Sequence, residues 1–185
     1  MGRLHTVRRL EDPVRGLVVQ KRVVDASRED LRLRLVHEAR ALSRCAGRPT
    51  PRLLAFHPDG PLVMEHVAGA EPDRWLGHGR ARARDAWQLV TAVADAVGRL
   101  HDHGIVHRDL KPANVLLTVQ HGRPDFVKVF DFGIATFVES AWDATSTGDL
   151  TPSGRAMGTP YYSPPEQIRG GSVRDPRVDI YAVGV

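Results

Sequence analysis

His107-Arg108-Asp109-Leu110-Lys111-Pro112-Ala113-Asn114 is the stretch that decides how this chain is read. It gathers a carboxylate, two cations, a histidine and an amide between segments that look regular. Upstream, residues 85–101 read as an amphipathic helix with Trp87, Val90, Ala94, Val97 and Leu100 on one face, ended by Gly104. Downstream, residues 115–119 and 126–130 read as short strands around a His-Gly turn. Asp131-Phe132-Gly133 follows 17 residues after Asn114. Residues 135–158 are rich in Ser, Thr, Asp and Gly and show little periodicity. So long an irregular stretch inside a domain points to a functional loop. Beyond it come Gly158-Thr159-Pro160-Tyr161-Tyr162-Ser163-Pro164-Pro165-Glu166 and, at the end, Asp179-Ile180-Tyr181-Ala182-Val183-Gly184-Val185.

Working toward the N-terminus, residues 16–24 (GLVVQKRVV) read as a strand rich in branched apolar residues. Ser27 is the expected N-cap of a helix, with Asp30 three residues on. That helix should run to about Cys45 and stop before Gly47 and Pro49. Leu31, Leu35 and Leu42 share its apolar face, and Glu38 lies among them. A carboxylate there needs a partner, because burying it unpaired is costly. Residues 61–67 (PLVMEHV) read as another buried strand, and Gly69 and Pro72 mark the joint between two lobes.

With 185 residues, 42% hydrophobic and 26% charged, the chain has the makings of one domain with a real core. No apolar run approaches the roughly 18 residues of a membrane span, and the first ten residues do not resemble a signal peptide. The single cysteine, Cys45, excludes an internal disulfide, reads as a small core residue and fits a reducing, cytoplasmic compartment. The net charge of +4 does not point to nucleic acid, because the basic residues are scattered. The densest cluster, Arg80, Arg82 and Arg84, reads as a solvated helix start. Of 26 basic residues only three are lysine: Lys21, Lys111 and Lys128. A compact ammonium and a planar guanidinium do different jobs, so each lysine raises a question of chemistry.

Residues 107–114 resemble the H-R-D-L-x-x-x-N catalytic loop of protein kinases, and Asp131-Phe132-Gly133 resembles their D-F-G. Residues 158–166 are similar to the stretch that closes the family's activation segment, with Pro164 where alanine is usual. Val18-Val19-Gln20-Lys21 resembles the V-A-I-K strand, with Gln20 a departure, and Glu38 is then the helix glutamate that pairs with Lys21. Met64-Glu65-His66-Val67 resembles the hinge that holds adenine through its backbone. The resemblance implies an α+β, two-lobed protein-kinase-like fold, with a small β-rich N-lobe (1–68) and a mainly helical C-lobe (69–185).

It also implies ATP and Mg²⁺ as cofactors and a protein substrate offering Ser or Thr. Asp109 would be the base that accepts the substrate's hydroxyl proton, and Lys111 would neutralise charge on the moving phosphate. Lys111 also marks the Ser/Thr type. Asn114 and Asp131 would hold the metal. Gly2, Lys21, Glu38, Glu65 and Val67 complete the expected nucleotide site. Arg108 would receive a phosphate on the activation loop, where Thr145, Ser146, Thr147, Thr151 and Ser153 are the candidates. Thr159 and Glu166 would shape the peptide-docking segment. His107, Phe132, Leu42 and Asp179 would stack as a column joining the lobes.

Two departures bear on the domain as a whole. Of the glycine-rich loop only Met1-Gly2-Arg3-Leu4 resembles the tail, so the first strand and most of that loop are not found. At the other end the resemblance stops at Val185, one turn or so into a helix. Both lobes are therefore expected to be incomplete, about two-thirds of the family's domain, and these 185 residues alone are expected to fold poorly and lack activity. The G-T-P-x-Y stretch ending in Glu166-Gln167 and the Ala/Arg-rich composition resemble bacterial members. Two other readings stay open: a kinase-like module that binds without catalysing, and a small-molecule phosphotransferase. Retention of Lys21, Glu38, Asp109, Asn114 and Asp131 weighs against the first, and the peptide-receiving residues 158–166 weigh against the second.

Overall fold

The structure, a computed structural model, describes residues 5–77, 82–120, 123–137, 160–169 and 174–185. Gly2, Thr145, Ser146, Thr147, Thr151, Ser153 and Thr159 lie outside the described residues.

A four-stranded antiparallel sheet forms the first layer, in the order β1-β2-β4-β3. Strands β1 (His5–Asp12) and β2 (Gly16–Val23) form a hairpin paired from His5↔Val23 to Asp12↔Gly16. Asp12 closes the turn by accepting the backbone N–H groups of Val14 and Arg15 at 2.9 and 2.8 Å, and Gly16 takes the left-handed conformation that ends it. The sequence carried no expectation of β1. Its residues, HTVRRLED, are nearly all exposed, so it lacks the alternation that marks a half-buried strand. Its pairing with β2 supplies the ladder that local pattern does not announce. Strands β3 (Leu53–Phe56) and β4 (Leu62–Glu65) complete the sheet.

Helix α1 (Glu29–Cys45) packs against this sheet. Ser27 does not cap it: both its N–H and its hydroxyl bond the Asp25 carboxylate, at 3.0 and 2.7 Å. The helix instead opens from Arg28 without a side-chain cap, with Glu29 and Asp30 set against its positive end. The expected face is buried, with Leu31, Leu35, Glu38 and Leu42 all at 3% exposure or less. The helix ends at Ala46, which is left-handed and returns its N–H to Leu42.

The short helix α2 (Pro72–Trp75) leads toward α3 (Ala83–Asp102), the main helix of the second layer. Gly69 and Ala70 press on the strand β6 (Val115–Gln120), and a Cβ on Gly69 would lie 2.6 Å from the Leu117 carbonyl oxygen. Only glycine fits there.

Helix α3 buries Leu89, Ala96, Val97 and Leu100, whereas Trp87 and Val90 are exposed. Val97 and Leu100 of the expected face are buried, but Leu89 and Ala96 take the places of Trp87 and Val90, Leu89 lying about 200° around the axis from Trp87. The apolar face is wider than the strip that is buried, so periodicity alone did not say which part of it would be covered. Packing on β7 (Arg123–Val129) and α5 (Arg177–Val183) decides that instead. Strand β5 (Ile105–Val106) pairs with β8 (Thr136–Phe137), and β6 pairs with β7. Residues 107–111 lie between β5 and a 3₁₀ turn, Pro112–Asn114. The core runs through both layers, with Leu42, Leu62, Leu100, Ile105, Val129 and Phe132 at 1% exposure or less.

Candidate functional site

Lys21 lies on β2, facing α1. Its Nζ donates to Glu38 Oε2 at 2.6 Å and to Asp131 Oδ1 at 2.9 Å. The lysine and Glu38 are buried, whereas the Asp131 side chain is half exposed toward the cleft. Burial by itself would lower the Lys21 pKa; the carboxylates of Glu38 and Asp131 overcome it and push the value up. Burial pushes Glu38 up, with Lys21 pulling against it. Burial would raise Asp131 too, but Lys21 prevails and holds it below the usual carboxylate range. The buried carboxylate on the apolar face of α1 therefore has its partner.

The turn at His107 to Asn114 is built by backbone donors. Asp179, on α5 and 1% exposed, accepts the N–H groups of His107 at 2.8 Å and Arg108 at 2.9 Å. It also receives His101 Nε2 at 2.9 Å. His107 Nε2 lies 2.8 Å from the Phe130 carbonyl, so that nitrogen carries the proton. Nδ1 then accepts the Asp109 N–H at 3.2 Å. The His107 and Phe132 rings meet with centroids 4.9 Å apart, and Leu42 belongs to the same core as Phe132. Asp179, His107 and Phe132 are thus linked in succession, and Leu42 is buried in the same core as Phe132.

Two non-glycine residues in this region are left-handed: Arg108 (φ 68°) and Asp131 (φ 62°). Each such conformation costs on the order of 1–3 kcal/mol, and such strain gathers at functional sites. The Asp109 carboxylate receives Lys111 Nζ at 2.7 Å, and Asn114 Nδ2 donates to the Asp109 carbonyl at 2.8 Å. With its NH₂ so engaged, Asn114 keeps its amide oxygen as a hard ligand atom. The Asp131 carboxylate is a second one. This donor set suits Mg²⁺, which takes few protein oxygens and keeps phosphate and water as the rest. Among the described residues no cluster of three or more His, Cys, Asp or Glu forms a separate metal site.

Register adds Val7, which no motif contained. Val7 pairs directly with Lys21, and Val19 stands two residues before it, so both share the sheet face that carries the ammonium. Met64, opposite Val19 on β4, extends that face. Glu65 ends β4, its N–H bonds Arg52 O at 2.9 Å, and Val67 lies just beyond the strand. A cavity of about 630 Å³ lies beside this segment, lined by Glu65, Val67, Trp75, Leu117 and Lys128, but by none of Lys21, Asp109, Asn114 or Asp131.

Lys128 had no assigned role. It is 3% exposed and donates to Gly47 O (2.6 Å), Thr50 O (2.8 Å) and Glu65 Oε1 (2.7 Å). It ties the strand leading to Asp131 to the loop after α1 and to the end of β4. The scarcity of lysine was the signal that could have found it, since all three ammonium groups lie within 2.9 Å of a carboxylate. Glu166 is exposed on α4 (Pro165–Ile168), and Cys45 is buried, its thiol pushed up to about 11 by burial.

Comparison with known proteins agrees with this geometry. The chain is 39% identical over its whole length to serine/threonine-protein kinase pkn3 of Myxococcus xanthus, of which it spans 34%. It is 42% identical over 67% of its length to Pkn1 of the same organism, spanning 17% of that protein. It is 38% identical over 69% of its length to PknB of Mycolicibacterium smegmatis, spanning 19%. The chain thus covers about a third or less of the length of these relatives. The family model for the protein kinase domain matches residues 16–185. A buried lysine–glutamate pair, a strained Asp109 loop hung from Asp179, and this match together make the chain a member of the protein kinase family, of the bacterial serine/threonine type.

Proposed function

We propose that the chain carries ATP-dependent phosphoryl transfer to Ser or Thr hydroxyls of proteins, in the cytoplasm and with no nucleic-acid partner. The observation that carries this reading is the convergence of Lys21, Asp131, Asn114 and Asp109 from β2, the β7–β8 connection and the turn before β6. ATP bound with Mg²⁺ supplies the phosphoryl group and neutralises charge around it. Lys21, charged and fixed by Glu38, grips the phosphates. Asn114 and Asp131 offer the oxygen ligands. Asp109 takes the hydroxyl proton of the substrate and aligns its oxygen, and Lys111 sits 2.7 Å from that carboxylate to balance charge as the transfer proceeds. Val7, Val19 and Met64 give the nucleotide base an apolar face, and the backbone of Glu65 and Val67 gives it hydrogen bonds.

Arg108 then serves activation by a phosphate on the segment holding Thr145, Ser146, Thr147, Thr151 and Ser153. Thr159 and Glu166 shape the seat of the substrate peptide. Transfer of labelled phosphate from ATP to a generic protein acceptor tests the reading. Asp109→Asn keeps the shape and lowers the rate about 10²-fold or more. Unchanged turnover in that variant refutes the assignment.

A further inference from the structure

The backbone of the residue before Asp109 is held from both sides. Arg108 is left-handed, its N–H fixed by Asp179 Oδ1 at 2.9 Å. Its carbonyl accepts Gln167 Nε2 at 2.6 Å. Gln167 lies on α4, immediately after Glu166, and is 3% exposed. The Arg108 carbonyl belongs to the peptide group whose nitrogen is that of Asp109. The orientation of that peptide plane sets the direction in which the Asp109 side chain leaves the backbone. A left-handed non-glycine residue persists only where its surroundings over-determine it. Here a buried side-chain amide supplies that restraint from a different segment of the chain.

We infer that Gln167 is a positioning residue for phosphoryl transfer: it fixes the Arg108–Asp109 peptide plane and so makes the aim of Asp109 depend on the ordered seat of residues 160–169. The inference rests on the proposed kinase reading. It adds that the segment expected to receive the peptide also sets the base, through one hydrogen bond. A segment out of place withdraws the 2.6 Å amide bond from Arg108 and leaves that plane to the longer, 3.2 Å bond from Asp109 N–H to His107 Nδ1, so the aim of Asp109 loosens whether or not a peptide is bound.

Two reactions separate this role from mere support of the peptide seat. Hydrolysis of ATP by water uses the catalytic loop but no peptide; transfer to a Ser/Thr peptide uses both. Gln167→Met keeps the volume and loses the donor, whereas Gln167→Lys keeps a donor within reach of the carbonyl. For Gln167→Met, kcat is expected to fall about tenfold in both reactions, the scale of one lost hydrogen bond, with KM for ATP and for peptide unchanged. Gln167→Lys is expected to recover most of both rates. A rise in peptide KM with ATP hydrolysis intact overturns the inference, and so do equal losses in the Met and Lys variants, which would mark a packing role. If the wild-type protein hydrolyses ATP but phosphorylates no Ser/Thr acceptor, the substrate reading fails, and the hydrolysis arm alone still decides the role of Gln167.

Discussion

Replacing Lys128 by methionine removes a buried ammonium while keeping the length of its stem. Two of its partners are carbonyls in the loop after α1: Gly47, which is buried, and Thr50, at 0% exposure. Left without a donor, each costs about 1–3 kcal/mol. A further partner, the Glu65 carboxylate, is 28% exposed. Water reaches it, so its loss adds about 1 kcal/mol or less. Methionine recovers part of this by avoiding the desolvation of a charge. The net expectation is a loss of about 3–5 kcal/mol, against a typical margin of roughly 5–15 kcal/mol. With a urea slope of about 1–3 kcal/mol/M, the midpoint should fall by roughly 2 M at unchanged slope. Urea unfolding followed by tryptophan fluorescence, on the protein carried in its full reading frame, measures this. Lys128→Arg should also destabilise, because a planar fork cannot replace a point donor among three converging oxygens. A midpoint within the equivalent of about 1 kcal/mol of wild type for Lys128→Met refutes the reasoning.

Other outcomes follow from the site. Excess chelator should abolish transfer, and Asp131→Ala should do the same at any practical Mg²⁺ concentration; activity surviving in chelator rules out the Asn114–Asp131 site. Mass spectrometry of active protein should find phosphate among Thr145, Ser146, Thr147, Thr151 and Ser153, and changing all five to alanine should reduce activity; a fully active variant removes the regulatory role of Arg108. The Lys21 pKa is raised on folding, so its stabilisation is complete below the ordinary 10.5 and is lost only as pH climbs through the higher folded value. Asp131 is depressed, so its contribution holds above the ordinary 3.8 and is lost as pH falls through the lower folded value. Lys21→Met alone would orphan the buried Glu38 carboxylate, so the difference in melting temperature is taken between wild type and the double variant Lys21→Met/Glu38→Gln, and it should stay level from pH 7 to pH 10. A difference that collapses between pH 7 and pH 9 contradicts the charged Lys21 described above.

What the sequence determined by itself was the chemistry and its order along the chain. Residues 107–114 and Asp131-Phe132-Gly133 are local patterns, legible because their resemblance to kinase motifs lies in a few neighbouring residues. Glu38 could be flagged before any partner was known, because helical period alone put a carboxylate among Leu31, Leu35 and Leu42. Tertiary structure decided everything that depends on a second segment. β1 is too polar to announce itself and exists because β2 pairs with it. Which part of the apolar face of α3 is buried was set by β7 and α5, because that face is wider than the strip those two elements cover. Ser27 met the rule for an N-cap, yet its hydroxyl went to Asp25, because a short polar side chain bonds whichever neighbour the local turn brings closest. The scarcity of lysine marked Lys128, and the resemblance to bacterial members included Gln167, but neither told what the two side chains would bond. Their roles come from carbonyls 81, 78 and 59 residues away in the chain. Such contacts exist only after folding has brought those backbones together, because a carbonyl oxygen is the same in every residue and leaves no mark on the sequence.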